Sequence, residues 1–128
     1  MPEAEAKISI YDSALMFGDM VFEMTRSFDG QQFKLRAHID RLFVGLSILR
    51  IPMPLTKDEL EQACYQTIEA NKSVFNDDDE HRLMIDVSRG LLGIYEGIEG
   101  LHKGTNIVIS DFPLRWTVSS MSSLFETG

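Results

Sequence analysis

Val21-Phe22-Glu23-Met24-Thr25-Arg26-Ser27-Phe28-Asp29-Gly30-Gln31-Gln32-Phe33-Lys34-Leu35 is the stretch from which the fold is read. Residues 21–28 alternate, with Phe22, Met24, Arg26 and Phe28 on one face, as a strand requires. Asp29-Gly30 supplies the positive φ angles of a tight hairpin turn. Residues 31–35 then return as a second strand, with Phe33 and Leu35 in step.

Outward from the hairpin the period changes. Residues 37–50 carry Ile39, Leu42, Phe43, Leu46 and Leu49 on one broad face at helical spacing, and Pro52 and Pro54 stop the helix. Thr56-Lys57-Asp58-Glu59 reads as a capping box, in which hydroxyl and carboxylate satisfy free amides reciprocally. It opens a second helix that runs to about Asn71 and buries Leu60, Ala63, Cys64 and Ile68. Residues 76–80 form a solvated acidic loop, which lacks the ligand spacing around a glycine turn of a calcium loop.

Residues 82–88 make a strand with Leu83, Ile85 and Val87 on one side. A glycine-punctuated loop covers 90–104 and another strand covers 105–110. Residues 7–11 alternate and read as a short opening strand, whereas the tail, 112–128, is mixed. Trp116, near Arg115, is placed to anchor that tail against the domain. Strands that do not alternate strictly with helices predict an α+β domain, with an antiparallel or mixed sheet and two helices.

Composition excludes several functions. A chain of 128 residues suits one domain with a real core. With 12 Lys+Arg against 20 Asp+Glu, the formal charge of -8 argues against binding a nucleic-acid backbone, which needs clustered cations. No apolar run reaches the roughly 20 residues of a membrane helix, and the acidic opening has no apolar signal core. The expectation is a cytoplasmic protein that acts on small molecules or proteins. Cys64 is the single cysteine, so no internal disulfide or multi-thiolate metal site forms. His81 and His102 have no partners at metal-ligand spacing. There is no Gly-x-Ser-x-Gly elbow, and Gly90, Gly93, Gly97, Gly100 and Gly104 make neither a P-loop nor a dinucleotide fingerprint.

The first long helix carries an anomaly. Opposite its core stripe, where water is expected, Val44, Gly45 and Ile48 surround Arg41, and Asp40 and Ser47 occupy only a narrow strip. Either Arg41 grips an anion at a covered site, with a fork suited to phosphate or carboxylate, or its stem packs on the surface and its head stays wet. Arg26 poses a similar choice. On a strand face with Phe22, Met24 and Phe28 it can bind a carboxylate, or it sits at the sheet edge beside Glu23 or Asp29. His38, one turn before Arg41, is either a second anion contact or a structural helix-start histidine.

Ser13-Ala14-Leu15-Met16-Phe17-Gly18-Asp19-Met20-Val21-Phe22-Glu23, followed by Phe33-Lys34-Leu35-Arg36-Ala37-His38-Ile39-Asp40-Arg41-Leu42, resembles the N-terminal small domain of class IV aminotransferases. These are the fold-type IV pyridoxal-phosphate enzymes, among them branched-chain aminotransferases, D-amino-acid aminotransferases and aminodeoxychorismate lyases. The similarity runs from about Ile8 to Asp111.

By this resemblance Arg41 binds the phosphate of pyridoxal 5'-phosphate. Phe17 and Phe22 line the substrate pocket, Arg26 occupies a variable pocket-side strand position, and Arg89 and Tyr95 shape recognition of the substrate carboxylate. The resemblance implies a small domain over 1–118, the start of an interdomain connection over 119–128, a further C-terminal domain and a homodimer. It also implies amino-acid and 2-oxo-acid substrates, and apolar Phe17, Phe22 and Met24 favour the branched-chain type. A lyase, a D-amino-acid enzyme or a non-catalytic binding domain are the alternatives.

The family's covalent lysine lies beyond Lys7, Lys34, Lys57, Lys72 and Lys103, and none of these matches it. The chain alone therefore contains no catalytic residue and is not expected to transaminate.

Overall fold

The structure, a computed structural model, describes residues 1–127. The elements in chain order are α1 (Ser13–Phe17), β1 (Met20–Phe28), β2 (Gln31–Gln32), α2 (Leu35–Leu49), α3 (Lys57–Asn71), β3 (His81–Ser88), β4 (Asn106–Pro113) and α4 (Leu114–Thr127). The four strands form one antiparallel sheet in the order β2-β1-β3-β4. The α+β expectation holds, with an all-antiparallel sheet.

Helices α2 and α3 cover one face of the sheet, α2 against β1 and α3 against β4. Leu35, Ile39, Leu42 and Leu46 of α2 meet Leu60 and Cys64 of α3 and Leu83, Ile85 and Val87 of β3, all buried. Phe43 packs against this core half-buried, while Leu49 is exposed. The Thr56 hydroxyl accepts from the Glu59 amide at 3.1 Å and the Glu59 carboxylate accepts from the Thr56 amide at 3.2 Å, so the capping box forms as read.

The structure departs from the sequence expectation in four places. Residues 7–11 form no strand: Ile8 and Ile10 are exposed, and the segment leads to an isolated bridge between Asp12 and Leu91. The return strand of the hairpin stops at Gln32, because Lys34 takes φ 52° and Leu35 already begins α2. The acidic loop is not wholly solvated: the side chain of Asp79 is nearly buried and pairs with Arg115 at 2.7 Å. The tail is a helix: β4 extends to Pro113, and α4 follows directly and runs without a break through residues 118 and 119. Trp116 stacks on Phe112 with centroids 6.5 Å apart, so it does tie α4 to the sheet.

The register decides what each sheet face offers. Phe22 pairs with Asp86 and Met24 with Met84, whereas Glu23 pairs with Ile85 and Thr25 with Leu83. Strand alternation therefore puts Glu23, Thr25 and Ser27, all buried, on the helix-covered side. Phe22 and Phe28, both exposed, share the opposite side with half-buried Met24 and Arg26. The polarity of β1 is thus inverted: its carboxylate lies under a helix and its phenylalanines face outward.

Candidate functional site

Glu23 is the centre of the site. Its carboxylate is only 6% exposed, and a buried carboxylate is tolerated when cations and hydrogen bonds meet it. Helix α2 supplies both partners from one side. Arg41 donates from Nε to one carboxylate oxygen at 2.5 Å and from Nη2 to the other at 2.7 Å. His38, one turn earlier, places Nδ1 2.8 Å from that second oxygen. The Arg41 hydrogen bonds hold the Glu23 carboxyl below the usual carboxylate range, against the opposing effect of burial, and His38 lowers it further.

The guanidinium itself is not buried. The Arg41 side chain is 72% exposed, and Nη1 has no partner among the described residues. One edge of the fork is committed to Glu23 and the other faces outward, which leaves donors for an oxyanion. Gly45, read from sequence as part of the open face, instead lies against β1. A Cβ there would come 3.0 Å from Val21 Cγ1, so the missing side chain lets α2 approach the strand. Val44 and Ile48, by contrast, are exposed as read, Ile48 at 75%.

The remaining candidate residues lie outside this cluster. Phe17 ends α1 and is exposed, and Phe22 shares the outward face of β1 with Met24 and Arg26. Arg26 pairs with neither Glu23 nor Asp29: its guanidinium lies 3.9 Å from the Phe28 ring centroid, and Nε donates to the Ser27 carbonyl at 3.1 Å. Met24, Thr25, Arg26, Phe33, His38, Arg82 and Leu114 line an open cleft of about 280 Å³, so His38 connects the Glu23 cluster with the Arg26 face.

Arg89 is engaged at every nitrogen. Nε pairs with Asp19 at 2.6 Å, Nη1 donates to the Arg50 carbonyl at 2.9 Å, and Nη2 donates to the Leu49 carbonyl at 2.7 Å. It thereby satisfies free carbonyls at the C-terminus of α2. Tyr95 stacks on Tyr11 with centroids 4.8 Å apart, outside the cluster. Among the described residues no group of three His, Cys, Asp or Glu side chains can hold a metal, and no helix is long and apolar enough to cross a membrane.

Residues 20–126 match the family described as amino-transferase class IV. The chain belongs to the class IV aminotransferases. The family's enzymes use pyridoxal phosphate. A putative branched-chain-amino-acid aminotransferase of Methanocaldococcus jannaschii is 44% identical over 69 residues, 54% of this chain and 24% of that protein. D-alanine aminotransferase of Listeria monocytogenes is 24% identical over 116 residues, 91% of this chain and 35% of that one. The crystal structure of the Escherichia coli branched-chain amino acid aminotransferase superposes with a TM-score of 0.72 at 27% identity, over 88% of this chain and 36% of its own. The class IV chain described here thus spans about a quarter to a third of the length of these relatives.

Sequence reasoning missed Glu23 as a working residue, naming it only as a neighbour of Arg26 and as the end of the first stretch that carries the family resemblance. The signal was present: Glu23 is in phase with Val21 and Thr25, so it falls on the face that α2 covers. A carboxylate at such a position needs a cation from the covering helix, and Arg41 and His38 are one turn apart on that helix.

Proposed function

We propose that this chain is the small-domain part of a branched-chain-type class IV aminotransferase, which exchanges an amino group between an amino acid and a 2-oxo acid. The observation that carries the reading is the Arg41 fork, held by Glu23 on one edge and open on the other. A phosphate monoester fits that open edge, since its oxygens match the spacing of guanidinium donors. Arg41 would hold the phosphate of pyridoxal 5'-phosphate, and the cofactor when bound supplies the electron sink for bond cleavage at the amino-acid α-carbon.

The other residues take supporting roles in this reading. Phe22 and Met24 on the outward face of β1, and exposed Phe17 at the end of α1, supply apolar surface that suits an aliphatic side chain, and Arg26 on the same β1 face is the cation available to a carboxylate. Arg89 fixes the end of α2 and so the helix that carries Arg41, and Tyr95 orders the 90–104 loop through Tyr11. The exposed apolar side chains of Phe17, Val44 and Ile48 meet the C-terminal domain or the partner subunit of a cytoplasmic homodimer, with residues 119–128 leading into that domain. The lysine that holds the cofactor covalently has no counterpart among Lys7, Lys34, Lys57, Lys72 and Lys103, so these residues alone do not transaminate.

The test is Arg41→Ala in the whole enzyme. Loss of a charge-assisted, two-point phosphate contact costs about 2–3 kcal/mol, a cofactor affinity some 30- to 150-fold weaker. Melting the apo and holo forms separately removes the effect of leaving Glu23 short of a partner. Cofactor affinity equal to wild type would refute the role of Arg41. The match to D-alanine aminotransferase favours a second reading in which the substrate is a D-amino acid. Turnover of L-leucine against D-alanine decides between them.

A further inference from the structure

We propose that Glu23 is a positioning residue for anion binding: it clamps the Nε–Nη2 edge of Arg41 so that the Nη1 edge is presented outward, preset for a phosphate group. The inference rests on the reading of Arg41 as a phosphate contact and adds a residue that never touches the ligand.

The Glu23 carboxylate has two opposed effects on an anion at Arg41. By charge alone, Glu23 is unfavourable to any anion at Arg41, because it nearly cancels the positive charge that attracts the anion. By geometry it is favourable. Arginine has a long, rotamer-rich side chain, and that of Arg41 is 72% exposed, so its stem is not packed into one conformation. What fixes the guanidinium is the two-point contact with Glu23, at 2.5 and 2.7 Å.

Glu23 is itself immobile: it is 6% exposed and sits in the middle of β1, opposite Ile85. His38 takes the second carboxylate oxygen at 2.8 Å and restores a donor to the cluster. An anion that meets a guanidinium already held in place does not bear the entropy of ordering it. A carboxylate that served only to neutralise a surface arginine would not need to be buried under the helix that carries it.

The experiment compares Glu23→Gln with Glu23→Met in the full chain. The two variants have the same charge and nearly the same volume, so Coulombic attraction cannot separate them. Glutamine keeps a strong oxygen acceptor for the Arg41 Nε proton, and methionine keeps only a weakly accepting thioether sulfur. Inorganic phosphate is titrated against each by NMR, and the exchange rate of the Arg41 Nε proton with water is measured without phosphate.

The expected result is a slowly exchanging Arg41 Nε proton in wild type and Glu23→Gln, and a fast one in Glu23→Met. Phosphate should bind Glu23→Met about tenfold more weakly than Glu23→Gln, the factor expected for ordering one rotamer-rich side chain. Equal affinities in the two variants, or unchanged Nε exchange in Glu23→Met, overturn the proposal. Arg41→Ala is titrated in parallel. If it binds phosphate as wild type does, the anion role of Arg41 fails, and the Nε exchange still reports separately whether Glu23 orders the guanidinium.

Discussion

Gly90 follows Arg89 directly, and replacing it with alanine tests how the 90–104 loop closes on the sheet. It has φ +86°, and a Cβ built on it would lie 2.0 Å from the Gly104 carbonyl oxygen and 2.9 Å from its carbonyl carbon. Both obstacles are backbone, so no side chain can swing aside. Gly90 also accepts from the Ser13 amide at 2.8 Å, which ties α1 to the end of β3, so a retreat of the backbone would break that bond.

The left-handed conformation costs alanine about 1–2 kcal/mol. Forcing a methyl group against a fixed backbone adds about 1–3 kcal/mol. A loss near 3 kcal/mol is a large fraction of the roughly 5–15 kcal/mol that holds a domain folded. It should move the urea midpoint by about 1–3 M.

Two glycines in the same loop provide the comparison. Gly100 has φ +80° with nothing within 4 Å of where a methyl group would sit, so Gly100→Ala reports the conformational cost alone. Gly97 has open space and no positive φ, so Gly97→Ala should be neutral or slightly stabilising. The assay is urea unfolding followed by far-UV circular dichroism. If Gly90→Ala loses no more than Gly100→Ala, the close approach of Gly90 to Gly104 is wrong.

Acid unfolding should separate two carboxylates of opposite sign. The folded-state value of Glu23 lies below its ordinary 4.5, so its contribution is fully present above that pH and lost as pH falls through the depressed value. Glu23→Gln therefore loses stability at neutral pH and converges on wild type in acid. Burial raises Asp86, so its ionised form opposes folding above its ordinary 3.8 and the penalty fades as pH falls. Asp86→Asn should gain stability at neutral pH and nothing in acid, and urea midpoints across the acid range read both. Cys64 is wholly buried, with its thiol pushed up to about 12. Iodoacetamide should label it only at the rate of unfolding, and labelling faster than unfolding would contradict its place between α2 and α3.

Local chemistry was legible in the chain wherever a few adjacent residues decide a structure. The Asp29-Gly30 turn, the Thr56–Glu59 capping box and the helical stripe of Ile39, Leu42 and Leu46 each follow from short-range sterics, hydrogen bonding or periodicity. The same holds for strand β3, whose alternating Leu83, Ile85 and Val87 all turn inward. Arg41 stood out for a related reason: an arginine among apolar residues opposite a core stripe breaks the expected pattern.

Tertiary structure decided what period alone leaves undetermined. Alternation shows that Phe22 and Glu23 point to opposite sides of β1, and only the packing of α2 shows which side is covered. It is the side of Glu23, against the usual order of polarity. For the same reason Gly45 is a packing contact with Val21 and Arg89 a brace for the end of α2, since both depend on segments far apart in the chain. Residues 7–11 alternate like a strand but find no neighbour to pair with, and backbone hydrogen bonding across a sheet needs one. The arginine could be singled out from the chain; the buried carboxylate that aims it became visible only when strand and helix were brought together.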